Sequence, residues 1–339
     1  MTRLPTVAAG AFLLLASAAR AQPALPSPLP PADPRAVLHA LTENDSYSTF
    51  NPRTDRWYTN GIRLGWQSAE NTLPHFMLGL DQALGEIFGP ANSRWGLAIG
   101  QEMFTPVNTR LRDPDPRDRP YAGYLHANLT LHRRTWTTLD RFEVQAGVVG
   151  PLSFGRQAQD FVHDALGDRR PRGWRRQLQD EPVFNVNAER IWRLPLAQLP
   201  DSLGLDVLPT VGVQLGTVRV AASGGARLRV GQGLDRDFGV PRIRPGLADA
   251  SAPVGEGFGW YLFGGVGGNA VARDIFLDGN TYRNSRSVEP RLFTAEAEAG
   301  AAVFWNNVRI SYTQVWRNKE FVAQTKPFTF GSFSLSVAF

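Results

Sequence analysis

Residues 328–339, the last twelve of the chain, read F-T-F-G-S-F-S-L-S-V-A-F. Large apolar side chains at Phe333, Leu335, Val337 and Phe339 alternate with small residues between them. An alternation of period two is typical of a β-strand that presents two different faces. An edge strand of this kind would promote aggregation in water, whereas it is ordinary on the lipid-facing wall of a membrane barrel.

The same alternation recurs along the chain, for example at 142–148, 205–216, 292–303 and 308–316. In each case one side is apolar and the opposite side carries polar or ionisable residues. This pattern favours a barrel with a polar lumen and lipid outside. A soluble β-sandwich has the same period and is the alternative. The pattern predicts twelve strands, an even number as in bacterial barrels, at 35–43, 58–67, 94–104, 121–133, 140–150, 182–193, 204–218, 225–232, 257–271, 288–303, 308–317 and 328–339.

The amino-terminal sequence indicates export. Residues 1–21 combine Arg3, an apolar run and an A-x-A site, which is the pattern of a cleaved signal peptide. A membrane-spanning helix is the alternative, but the apolar run is shorter than the ~20 residues that a span needs. Residues 22–34 are proline-rich and predict an extended segment. Residues 35–339 then form one transmembrane β-barrel domain, with short helices in its loops.

Composition excludes several kinds of site. The chain has no cysteine, so it has neither a disulfide framework nor a thiolate metal site. Loss of Arg3 and Arg20 with the signal peptide lowers the formal charge from +5 to +3. This mild excess does not indicate a nucleic-acid partner.

Strand order places several loops on one rim of the barrel. If both termini face the periplasm, the connections on the outer face are 44–57, 105–120, 151–181, 219–224, 272–287 and 318–327. Asn44 and Asp45 follow the first strand, and Thr59 opens the second. Side chains held at rigid strand ends can support a catalytic or metal site, and the oxygens of Asp45 and Asn44 suit a hard cation such as Ca²⁺. An Asx-turn is the alternative.

The third outer connection carries a candidate general base. The apolar residues in F-G-R-Q-A-Q-D-F-V-H-D-A-L-G (154–167) have helical spacing, and Gln159 and His163, four residues apart, share one helix face. A histidine suits general-base catalysis at neutral pH; a loop histidine without a role is the alternative. No G-x-S-x-G motif occurs. Water activated by histidine, with a cation polarising the carbonyl, is therefore the most economical chemistry.

Arginines are concentrated in two outer connections. Arg169 and Arg170 open the stretch R-R-P-R-G-W-R-R, and Arg110 and Arg112 lie in the second outer connection. Arginine binds phosphate in a bidentate manner. On the outside of a Gram-negative outer membrane, the available polyanion is phosphorylated lipid A. A solvated basic loop is the alternative.

Several short motifs occur together in a fixed order. They are E-N-D (43–45), Y-T-N-G (58–61), T-P (105–106), D-R-P-Y-A-G (118–123), G-P (150–151), Q-x-x-x-H (159–163), G-W (173–174) and Q-L-x-D-E-P (177–182). In these motifs the chain resembles the outer-membrane lipid A 3′-O-deacylases, the LpxR family. The resemblance covers most of the mature chain and is densest from 43 to 190.

The resemblance implies a twelve-stranded barrel that hydrolyses the ester of the 3′-linked acyl (acyloxyacyl) group of lipid A at the outer leaflet, with Ca²⁺ as cofactor. The family's functional residues map to Asn44, Asp45, Thr59, Gln159 and His163. By that analogy His163 activates water, and a cation near Asp45 stabilises the oxyanion.

The sequence departs from the family at two places. The family has a lysine near the second outer loop, where this chain has only Arg110 and Arg112 as candidates. It also has an acidic residue shortly after the histidine, for which Asp164 and Asp168 are candidates. We expect a monomer in the outer membrane of a Gram-negative bacterium, with lipopolysaccharide as substrate and no nucleic-acid partner. An outer-membrane phospholipase and a non-enzymatic porin are the alternative functions.

Overall fold

The computed structural model describes residues 29–49, 55–200, 202–244, 247–248 and 253–339. The predicted signal peptide and most of the proline-rich segment lie outside these residues. Twelve long strands form the wall of the molecule. They are β1 (Val37–Asn44), β2 (Trp57–Gln67), β3 (Asn92–Thr105), β4 (Ala122–Arg134), β5 (Thr138–Val149), β6 (Glu181–Trp192), β7 (Gly204–Gly216), β8 (Arg219–Gln232), β9 (Phe258–Asp274), β10 (Phe293–Trp305), β11 (Val308–Arg317) and β12 (Phe328–Ala338).

Every strand pairs antiparallel with its neighbours in sequence, and β1 pairs with β12, so the sheet closes on itself. This confirms the predicted twelve-stranded antiparallel barrel. A short strand, Leu194–Gln198, prolongs β6 against the start of β7, and Ile243–Arg244 pairs with Leu247–Ala248 in a separate hairpin. In the described ranges, three α-helices occupy connections: α1 (His75–Phe88), α2 (Gly155–Leu166) and α3 (Ile275–Asp278). Within the described residues, no helix is long and apolar enough to cross a membrane.

The two faces of the wall follow the alternation in the sequence. On β12 the side chains of Phe333 and Leu335 are exposed on the outside, whereas Ser334 and Ser336 are buried on the lumen side. On β1 the outward positions are Leu38, Ala40, Thr42 and Asn44, because the intervening Glu43 is buried in the lumen. Apolar side chains therefore face the bilayer and polar ones face the interior.

Two predicted strand starts differ from the structure by more than two residues. The eighth strand begins at Arg219 rather than at 225, so 219–224 is wall and not an outer loop. Its A-S-G-G sequence reads as a turn, but Ser223 and Gly224 pair with Asn269 and Gly268 of β9 in a regular ladder. The tenth strand begins at Phe293 rather than at 288.

The lumen is filled by the chain itself. After β8, residues 234–243 run inside the barrel, where Phe238, Val240 and Arg242 are almost fully buried. The Arg242 guanidinium pairs with Glu43 at 3.0 Å and with Glu298 at 2.8 Å. Glu43 lies one residue before Asn44, which ends β1 at the outer rim. Since Arg242 pairs with Glu43, this segment extends from the periplasmic side to just beneath that rim.

Helix α1 lies against the outside of the wall at its periplasmic end. Met77 and Leu84 pack on Leu131, an outward residue of β4, and Asp81 pairs with Arg133 at 2.8 Å. This helix therefore covers the lower part of β3–β5 on the lipid-facing side.

Candidate active site on the lipid-facing outer rim

The outer ends of β1 and β2 are joined by an asparagine pair. Asn44 Nδ2 donates to Asn60 Oδ1 at 3.1 Å, and Asn44 Oδ1 accepts from the Ser46 backbone N–H at 2.7 Å. The second bond caps the 3₁₀ turn Asp45–Tyr47. Asn44 is thus fixed on the outer surface of the wall and does not point into the lumen.

A β-bulge brings Thr59 to the same region. The register between β2 and β3 shifts between Tyr58 and Asn60, which leaves Thr59 as the extra residue. Its hydroxyl lies 2.7 Å from that of Thr105 and is buried. The bulge allows adjacent Thr59 and Asn60 both to contribute polar atoms to the rim.

Asp45 is buried at the start of the first outer loop, with 1% of its surface exposed. Its Oδ2 accepts from the Arg56 backbone N–H at 3.0 Å. This bond brings the end of the loop back to β1 and places Asp55, the neighbour of Arg56, in the same region.

Helix α2 is docked on the outside of the rim above β3 and β4. Its first residue, Gly155, approaches Gly123 so closely that a Cβ at Gly123 would lie 3.1 Å from the Gly155 Cα. Met103, Tyr121 and Trp174 form an apolar cluster beneath the helix. In the strand register, Asn44 pairs with Asn60, Asn60 with Met103, and Met103 with Gly123. Because α2 contacts Gly123, the helix lies on the same row of the wall as Asn44.

The amphipathic orientation of α2 is inverted. Gln159 is only 3% exposed, and its Oε1 accepts from Trp174 Nε1 at 2.7 Å. Phe161 and Leu166 are 74% and 71% exposed. The helix therefore turns its polar face towards the wall and its apolar face outwards, as expected where the surroundings are lipid rather than water.

His163 contacts acceptors with both ring nitrogens. Nδ1 is 2.8 Å from the Arg169 backbone oxygen, and Nε2 is 2.7 Å from Asp55 Oδ2. Since a carbonyl oxygen can only accept, Nδ1 carries a proton, and one further proton is held between Nε2 and Asp55. Burial raises the pKa of Asp55, and the charge of His163 acts against that increase.

Asp55 is a site residue that the sequence reasoning missed. Asp164 and Asp168 were the candidates for the acidic residue that follows the histidine. In the structure Asp164 pairs with Arg170 at the surface, and the charge of Asp168 contributes to the raised pKa of Asp55. One signal was available, because Asp55 precedes the second strand much as Asp45 follows the first. The two halves of the predicted site, the end of β1 and helix α2, are connected by two adjacent residues. The Arg56 backbone contacts Asp45, and the Asp55 side chain contacts His163.

An open cleft of about 600 Å³ lies beside the site. Trp174 forms one wall, and the lining includes Arg112, Arg156, Arg170, Arg172, Arg175 and Arg176. Arg170 and Arg176 pair with Asp164 and Asp113, whereas Arg112, Arg172 and Arg175 form no ion pair with any residue that the structure describes. Of the four arginines predicted to bind substrate, Arg112 and Arg170 line this cleft and Arg110 and Arg169 do not.

The oxygen atoms around Asp45 fit a hard cation. A buried carboxylate beside asparagine and backbone oxygens is the donor set that Ca²⁺ prefers. Within the described ranges no group of three acidic or histidine side chains converges. Amide, carbonyl and water oxygens would therefore complete the coordination.

A family model matches nearly the whole chain, and a solved structure is similar in fold. The family model for the outer membrane protein LpxR matches residues 7–339. Among solved structures, LpxR from Salmonella typhimurium superposes with a TM-score of 0.72 and 19% sequence identity, covering 89% of this chain and 100% of that chain. The β domain of the Bordetella autotransporter BrkA has a TM-score of 0.43 at 10% identity, covering 91% and 99% of the two chains. No curated protein sequence matches the chain significantly.

Proposed function

Because the chain belongs to the LpxR family of outer membrane proteins, we propose that it is an esterase that removes the 3′-linked acyl (acyloxyacyl) group of lipid A. One observation supports this most directly. Asn44 lies on the lipid-facing side of the outer rim, and the adjacent Asp45 is linked to His163 of α2 through the backbone of Arg56 and the carboxylate of Asp55. An ester at the head-group level of the outer leaflet reaches such a site without leaving the bilayer.

His163 is the general base of the proposed reaction. In the arrangement described, Asp55 holds Nε2, so Nε2 accepts a proton from water only after Asp55 has moved away together with the proton that the two groups share. The bond to the Arg169 carbonyl keeps the ring oriented meanwhile. Gln159, held by Trp174, and Thr59, held by Thr105, fix the adjoining polar surface. The Asn44 side chain, held by Asn60, lies on the outward face of β1.

Asp45 is the proposed calcium ligand. When bound there, a calcium ion would supply positive charge for the oxygen of the ester carbonyl.

The arginine cleft suits the phosphate groups of the same substrate. Arg112, Arg172 and Arg175 present unpaired guanidinium groups within the described structure, and Trp174 separates the cleft from Gln159. Charge-assisted bonds to phosphate would position lipid A with its ester over the rim.

The function is tested by mass spectrometry of lipid A from cells that express the chain. We expect loss of the 3′-linked acyl group, and we expect His163→Ala to lower the rate by about 10²- to 10⁴-fold because a general base is removed. His75→Ala, an exposed histidine at the start of α1, is the matched control. Unchanged acyl loss in the His163 variant would contradict its assignment. Turnover of glycerophospholipid but not of lipid A would instead indicate a phospholipase.

The calcium proposal has its own test. Exhaustive treatment with EDTA should abolish hydrolysis, and added Ca²⁺ should restore it in the wild-type chain but not in Asp45→Asn. The amide retains the shape but loses the charge that binds the cation. Activity that persists after complete chelation would exclude a calcium requirement.

A further inference from the structure

A groove runs down the lipid-facing wall from the candidate site. On β1 the outward side chains below Asn44 are small, namely Thr42 and Ala40. Thr42 lies between Ile62 and Phe333 in the ladder, and the row below places Ala40 between Leu64 and Leu335. All four flanking side chains are large and exposed. The outer surface of β1 is therefore a trough between two apolar ridges.

The trough widens into a cleft of about 750 Å³ around Ala40. Leu38, Leu64, Trp66, Ile99 and Leu335 contribute to its mainly apolar lining. At its upper end Tyr47 forms a side wall: its ring contacts that of Phe333, with centroids 5.4 Å apart, and its hydroxyl is 3.4 Å from that of Thr42. The trough and the cleft thus form one continuous groove that begins at Asn44.

The groove has a defined lower end. Leu38 pairs with Trp66 in the register, and Trp66 contacts Trp95 edge to face with centroids 5.1 Å apart. Trp95 in turn packs among the residues that α1 covers. From Asn44 to Leu38 the strand rises about 20 Å, which is comparable with an extended long fatty acyl chain.

We propose that this groove binds the acyl chain that is cleaved, and that Leu38 and Trp66 limit its length. The inference rests on the proposed deacylase function. The groove starts where the ester would be held, and a chain attached at that point has to descend along the wall. Its lining is apolar, and the small side chains of β1 keep it open directly below Asn44. Bulk phospholipid is the competing occupant.

Kinetics with acyl chains of different length test the proposal. Ala40→Phe fills the groove with a side chain that a lipid-facing wall tolerates. We expect kcat/KM for long-chain lipid A to fall about tenfold or more, because the displaced ester no longer meets the catalytic groups, while short-chain substrate is little affected. Trp66→Ala should move the preference to longer chains. Ala299→Phe, on the outward face of β10 between Gly264 and Gln314, is the matched control.

A labelling experiment gives a readout that does not require turnover. Lipid A with a photoreactive group on its 3′-linked chain should label the Ala40–Leu64 strip in the wild-type chain but not in Ala40→Phe. A glycerophospholipid with the same group should label the wall evenly. Equal labelling of the strip by both lipids, or an unchanged chain-length preference in active Ala40→Phe and Trp66→Ala, would overturn the proposal. Selective labelling of the strip without hydrolysis would support the acyl-binding groove and contradict the deacylase function.

Discussion

His163 is held in a state that cannot yet accept a proton at Nε2. Its two nitrogens face the Arg169 carbonyl and the Asp55 carboxylate, at 2.8 Å and 2.7 Å. Nε2 becomes a free acceptor only when Asp55 leaves it together with the shared proton.

Replacement of Asp55 tests this coupling. We expect Asp55→Asn to lower kcat by about 10- to 100-fold, the usual effect of removing a carboxylate that orients a functional histidine. Asp164→Asn, which affects only the surface pair with Arg170, is the control. A kcat for Asp55→Asn equal to that of the wild type would contradict the role.

The residues of the candidate site were predictable from sequence to different degrees. Helical spacing put Gln159 and His163 on one face, and strand ends singled out Asn44, Asp45 and Thr59. Asp55 was not predicted, because its contact with His163 joins two loops that come together only when α2 docks on the wall. Likewise, no local pattern shows that Arg112 and Arg170 line one cleft while Arg110 and Arg169 do not.

At the scale of elements, α2 shows what periodicity can and cannot predict. The spacing of its apolar residues correctly indicated a helix. It did not reveal which face is buried, because that depends on the medium outside: Phe161 and Leu166 point away from the protein while Gln159 is buried. The strands were predicted well because the alternation separates an apolar face from a polar one, and a barrel in a membrane turns the apolar face to lipid. The start of β8 was missed because Ser and Gly mark turns in sequence but fit a wall ladder here.

The docking of α2 depends on the glycine pair at the wall. Gly123→Leu places a side chain where the Gly155 backbone now lies, at 3.1 Å from the position of the new Cβ. We expect this variant to insert and fold as a barrel, since the ladder is unchanged, but to lose at least about 10²-fold in deacylation because His163 is displaced. Gly264→Leu, on the outer face of β9 away from the helix, is the control. Full activity in Gly123→Leu would show that the contact is not needed.

In the part of the chain that the structure describes, a segment of the chain itself occupies the lumen of the barrel. Residues 234–243 lie in the interior, and Asp237 is bonded there to Arg229 at 2.6 Å and to Arg309 at 2.8 Å. Charged groups paired in this way rigidify the interior rather than line a water-filled passage. This arrangement counts against the porin alternative.

Conductance measurements test that conclusion. In planar bilayers the wild-type chain should give no steady porin-like steps. Phe238→Ala combined with Arg242→Ala removes two buried side chains of the lumen segment and should produce measurable leakage. Val322→Ala, an exposed position outside the barrel strands, should behave as the wild type does. Stable channel openings in the wild-type chain would contradict a closed lumen.

The seam between β1 and β12 has a consequence for the timing of activity. Asn44 stands opposite Gly331 at this seam, and the Asp45–Tyr47 turn packs over β12 through Tyr47 and Phe333. Because the turn that carries Asp45 rests on β12, we expect the proposed site to reach its final geometry only after the first and last strands have paired.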